Sequence, residues 1–236
     1  MLGIALRAIL PTDQISPEST DVIKLATGLM ATLTALVLGL MISSANTARN
    51  AVQNAYTTSL ANVAMLDRHL AEYGAGTRTA RALLRDALVR KFQAVWPTEN
   101  FGPQEPSDGS ALSAVESMEH ELLKLTPATD AQKWLLSQAL QATSSLGQFR
   151  WIVIHEESGP ALPVPFLVGL VFWGTAIFIS FGLLTKPNVT VLVSLFIAAL
   201  SVSSAIFLIL ELGNPFGGQM QISSTPAHAM LNALAN

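Results

Sequence analysis

Three long stretches of this chain carry no charged residue: 25–43, 161–185 and 187–210. The first, Leu25–Ser43, is 19 residues. As a helix it is roughly 28 Å long at 1.5 Å per residue, close to a hydrocarbon thickness of roughly 30 Å. Runs of this length and polarity fit a bilayer, because only a helix satisfies its own backbone there. The intervening segment 44–160 holds ten of the thirteen Lys and Arg. So uneven a distribution, at 12% charge overall, describes membrane spans around an aqueous domain, where a soluble domain would carry roughly 25% charge spread throughout.

The spans read as 22–43, 161–184 and 188–212. Residues 1–21 contain an apolar start, Leu2–Leu10, too short to cross; it is an interfacial segment or the lower end of a longer helix, which would make a fourth span. Between the first two clear spans, 44–160 reads as helical throughout. Apolar residues from Val52 to Leu70 recur at threes and fours, and no Gly or Pro falls between Gly39 and Gly74. One helix is therefore expected to leave the membrane and continue to Gly74. Further helices are expected at about 77–96, 111–125 and 128–157, with Trp134, Leu135, Ala139 and Leu140 in their core. The fold class is all-α. The tail is 213–236. Basic residues concentrated in 44–160, against a lone Lys186 in the hairpin between the last two spans, place that domain in the cytoplasm by the positive-inside rule.

Two stripes stand out on the first helix. Ala31, Ala35, Gly39 and Ser43 lie four apart, and small residues let membrane helices approach closely. Asn46, Asn50 and Asn54 continue at the same spacing. They form either a plain solvent-facing stripe or, in a symmetric ring, a vestibule lined with neutral dipoles. Glu211, at the end of the third span, is an interfacial anchor or a member of a carboxylate ring. Asp67 and Arg68 read as an ion pair or helix surface, and Ser194, Ser201, Ser203 and Ser204 as a weakly polar face.

Enzyme chemistry finds no footing. Glu116/His120 and His155/Glu156 offer two ligands each, short of a metal site. No phosphate loop, nucleophile motif or dinucleotide fingerprint occurs. No cofactor is implied. The net charge of −3 gives no nucleic-acid footprint.

Several motifs resemble one family. The run from Lys24 to Leu40 is similar to the bacterial bestrophin-like family. So are Met65–Gly74, Pro163-Val-Pro-Phe166 with Phe172-Trp173, and Ala205–Leu212 leading into Asn214-Pro215-Phe216-Gly217. Family members usually carry one more apolar span ahead of Leu2–Leu10. The resemblance implies a multi-pass protein of the bacterial inner membrane, surrounded by lipid and assembled as a homo-oligomer. By likeness to bestrophins, whose Asn-Pro-Phe-Gly element follows a membrane helix, it implies a channel for inorganic ions, anions in particular. The competing reading is a non-conducting scaffold whose helical bundle binds a partner.

Overall fold

The computed structural model describes residues 17–102, 111–158, 164–185 and 188–234. The apolar start 2–10, the loop 103–110 and the Lys186 hairpin tip lie outside the described residues, as do the side chains of Arg150, Trp151, Ile152 and His155. All regular structure among the described residues is helical: α1 (Pro17–Tyr73), a single 3₁₀ turn (Ala75–Thr77), α2 (Arg78–Val95), α3 (Ala111–Leu123), α4 (Asp130–Ser158), α5 (Val164–Leu184), α6 (Val189–Leu212) and α7 (Thr225–Ala233). Three of these, α1, α5 and α6, are long and apolar enough to cross a membrane.

The helix α1 is continuous over 57 residues, consistent with the absence of breakers after Gly39. It ends at Gly74, whose φ of 116° closes off the helix in a conformation side chains resist. Thr77 is buried and fastens the turn, its hydroxyl donating to the Leu70 carbonyl at 2.5 Å and the Gly74 carbonyl at 2.8 Å.

Contacts divide the chain into two compact units. One contains α1 as far as Arg49, α5, α6 and the loop to Met220. Its core is Met41, Leu170 and Ile209, with Val37, Leu38 and Ile42 packed against them. Hydroxyls in this unit are turned inward onto their own helices. Thr32, Thr34, Thr175, Ser180, Ser194, Ser201 and Ser204 each donate to the carbonyl four residues back. Three of the four α6 serines, Ser194, Ser201 and Ser204, therefore donate to their own backbone, which weakens the polar face their spacing suggested.

The second unit is a bundle of α1 from Asn50 onward, α2, α3, α4 and α7. Val63, Leu66, Leu70, Ala80, Leu84, Met118, Leu122 and Ala139 form its core, with Met230 and Leu234 of the C-terminal segment against it. Trp134 departs from expectation. It is 58% exposed, with its ring edge-on to His69 at 5.7 Å, because the narrow core seam takes Leu135 and Ala139 instead. Asp67 and Arg68 do not pair with each other. Asp67 takes a two-pronged bond from Arg81 (2.6 and 3.0 Å), and Arg68 meets Glu72. Neighbours in sequence point about 100° apart on a helix, whereas the hairpin turn brings Arg81 alongside Asp67.

Candidate functional site

Within the apolar part of α1, three faces are distinct. Thr27, Thr34, Met41 and Ala45 are buried inside the chain. Leu25, Leu29, Leu33, Leu36 and Leu40 are exposed and bulky, the composition of a surface against lipid tails. The third face is Gly28, Ala35, Gly39 and Ser43, also exposed yet small. A Cβ added at Gly28 or Gly39 would meet nothing within 4 Å. Of the four-residue ladder read from the sequence, Ala31 is half-buried and Ala35, Gly39 and Ser43 are exposed among the described residues.

Along the helix, Ser43 leads into Asn46, Asn50 and Asn54. Steps of three and four residues keep Ala35, Gly39, Ser43, Asn46, Asn50 and Asn54 on one side of the helix. The two stripes are one face. All three asparagines are exposed, and unlike the hydroxyls nearby they have no side-chain hydrogen-bond partner among the described residues. No Asp or Glu occurs from Val22 to Leu66.

Arg49 sits one turn on from Asn46. Its Nη2 donates to the Met220 carbonyl at 2.6 Å. Its Nε is buried without a partner, and no carboxylate pairs with it among the described residues.

At the end of α6 the chain folds back on itself. Glu211 accepts the backbone N–H of Gln219 and, at 2.8 Å, that of Met220. Gly218 has a φ of 74°, and a Cβ there would strike the Glu211 carboxylate, coming 2.7 Å from its Cδ. A Cβ at Gly217 would come 2.5 Å from the Asn214 side-chain nitrogen. Gly218, Gln219 and Met220, directly after Asn214-Pro215-Phe216-Gly217, thus fold back onto the carboxylate. The sequence alone marks Glu211 and the motif separately, and not this fold-back.

The three apolar spans and the helical bundle invite a comparison against known families. The Bestrophin-like domain matches residues 1–227.

The chain belongs to the bestrophin-like family.

No curated protein matches its sequence. Solved structures do resemble this bestrophin-like fold. One variant of a bacterial bestrophin homologue from Klebsiella pneumoniae superposes with a TM-score of 0.69 at 16% identity, over 100% of this chain and 97% of that one. A second variant gives 0.67 at 18% identity, over 99% and 93%. At such identities the likeness establishes the fold: an all-helical membrane protein of bestrophin architecture.

The bundle of this bestrophin-like protein holds one polar cluster that no local pattern announced. His228 of α7 meets Glu99 at 2.8 Å and stacks on Phe101 at 4.3 Å. The His228 ring, aided by Ser224, holds the Glu99 carboxyl below the usual carboxylate range. Gln93 folds the intervening loop by donating to the Pro97 and Glu99 carbonyls and accepting from the Phe101 N–H. Tyr56 lies edge-on to Trp96 beside this cluster. Burial, opposed by the Ala227 backbone and reinforced by the Glu99 charge, pushes the Tyr56 hydroxyl up to about 12. A folded value above the unfolded value of roughly 10 means that Tyr56 contributes fully below about pH 10, a contribution lost as the pH climbs through about 12. Chemical denaturation in detergent is expected to lose on the order of 1 kcal/mol across that window in wild type, the full shift being discounted for solvent screening. The alkaline loss should be smaller by that amount in Tyr56→Phe. Equal losses in both proteins would remove Tyr56 as the cause.

Proposed function

We propose that this protein is a homo-oligomeric ion channel in which Asn46, Asn50 and Asn54 of α1 border an aqueous path while the small residues before them pack against a neighbouring copy, with inorganic anions favoured. One observation carries the reading: a long exposed face that is small rather than leucine-rich at bilayer depth and then presents three unpartnered amides. A face turned to lipid would be dressed like the Leu25–Leu40 side. Amide dipoles tolerate ions of either sign. The absence of any carboxylate from Val22 to Leu66, with Arg49 present and Lys24 paired with Asp21, tilts the local potential toward anions. The basic content of 44–160 supports a cytoplasmic position for that segment in a bacterial inner membrane.

Reconstitution into liposomes, with a salt gradient and a reversal potential as readout, tests this. Wild type is expected to conduct, with anions preferred. Asn50→Asp places a ring of carboxylates in the path and is expected to move the reversal potential toward the cation limit, less so at high salt, where screening shortens to about 10 Å at 0.1 M. Conduction with unaltered selectivity would take the asparagine stripe out of the path.

A second reading has its own observation. Met65, Leu123 and Trp134 are large, apolar and more than half exposed on the bundle, as a partner-binding scaffold would require. It predicts no flux from well-folded wild-type oligomer.

A further inference from the structure

Met220 is held from both sides. Its N–H donates to Glu211 and its carbonyl accepts from Arg49. The loop that delivers it is built tightly. Gly218 adopts a positive φ and leaves no room for a Cβ against the Glu211 carboxylate, and Gly217 leaves none against Asn214. The Glu211 carboxylate thus has its accepting capacity turned onto backbone amides, and charge-assisted bonds of this kind are the stronger ones. Arg49, in contrast, is a full positive charge with no carboxylate partner among the described residues. It follows Asn46 by one turn and, as the residue before Asn50, points about 100° from it around the helix.

We propose that Glu211 is a positioning residue: its carboxylate closes the loop Gly213–Met220 so that the Met220 carbonyl holds the Arg49 guanidinium in place, making Arg49 the fixed charge that sets ion selectivity. The inference rests on the channel reading above and names the residue that decides it. It also assigns Glu211 the opposite electrostatic consequence from a carboxylate lining the path. A lining carboxylate repels anions, so its removal raises anion preference. A carboxylate that positions Arg49 sustains anion preference, so its removal lowers it.

The test uses the full-length oligomer with Arg49→Gln, Arg49→Lys, Glu211→Ala and Gly218→Ala. Reversal potentials are read in a chloride gradient, alongside amide hydrogen exchange across 213–221. Arg49→Gln is expected to reduce anion preference. Arg49→Lys is expected to retain part of it, because charge survives while the two-ended guanidinium reach is lost. Glu211→Ala and Gly218→Ala are expected to shift selectivity in the same direction as Arg49→Gln. Exchange at Gln219 and Met220 should become roughly tenfold faster or more, since two bonds to a charged acceptor are lost. Exchange in α2 should be unchanged. A shift toward anions in Glu211→Ala would overturn the proposal in favour of a lining carboxylate. Unaltered exchange at 219–220 would overturn the loop closure. Should wild type conduct nothing, the selectivity role falls with the channel reading, and the exchange result alone then decides whether Glu211 closes the loop.

Discussion

Gly39→Leu protein is expected to leave detergent extraction as a smaller species than wild type. Within the chain a side chain at Gly39 starts into open space, because nothing among the described residues lies within 4 Å of a Cβ there, and leucine is the better helix former. An isolated chain should therefore fold at least as well as before. Any loss must arise where a second copy approaches. In lipid, helices associate by close van der Waals packing across small residues, so an added isobutyl group separates the backbones and forfeits most of that contact. Ala35→Leu should act in the same way. Leu33→Ala, on the leucine-covered side of α1, should leave the assembled mass unchanged. Mass photometry or light scattering in matched detergent reads all three. Wild-type mass in Gly39→Leu would turn this small-residue face toward lipid.

Leu66→Ala should cost the bundle about 3–5 kcal/mol, the upper range for a leucine deleted from a core that cannot collapse. Leu66 is 0% exposed, at the centre of a cluster supplied by four helices. Val63, Leu84 and the α3 pair Met118 and Leu122 are anchored on three separate helices, so they cannot all move in to fill the space. A domain of this size holds roughly 5–15 kcal/mol in total, so the loss should lower the melting temperature by ten degrees or more, on the order of 4–8 °C per kcal/mol in a domain of about 100 residues. Circular dichroism melts in detergent measure it. A destabilisation below about 1 kcal/mol would mean that the core around Leu66 is loosely packed.

What the sequence could reveal was set by the range over which each feature is encoded. The continuous helix through Asn46–Asn54 was legible because breakers are absent and apolar residues keep the helical period; both are local properties. The assignment of faces on α1 was not. Met41, Thr34 and Leu36 are all acceptable in a bilayer. Which of them turns inward depends on Leu170 and Ile209, more than a hundred residues away. Trp134 misled for a related reason: a large aromatic at a helical apolar position suggests core, yet the seam beside it admits Leu135 and Ala139 only. Glu211 was legible as a charge at the end of a span. Its engagement with amides eight and nine residues later needs the positive φ at Gly218, and the Gly217-Gly218 pair was the available signal. Nothing local marks Glu99 and His228 as partners across 129 positions.

The inward-turned hydroxyls of the spans bear on how such a protein is made. A polar side chain stranded in hydrocarbon seeks a partner, and an unassembled subunit rich in such groups would be sticky and prone to wrong pairings. Here Thr34, Thr175, Ser180, Ser201 and Ser204 satisfy themselves on the helices that carry them. Each span can enter the bilayer as a finished unit, and a newly inserted subunit can diffuse without a chaperoning neighbour. If copies of the chain meet along Gly28, Ala35 and Gly39, as the proposal has it, commitment to the oligomer is deferred to shape. A contact made by shape and without buried polar bonds is reversible on dilution, so subunit exchange between assembled proteins in the membrane becomes a natural property of this design.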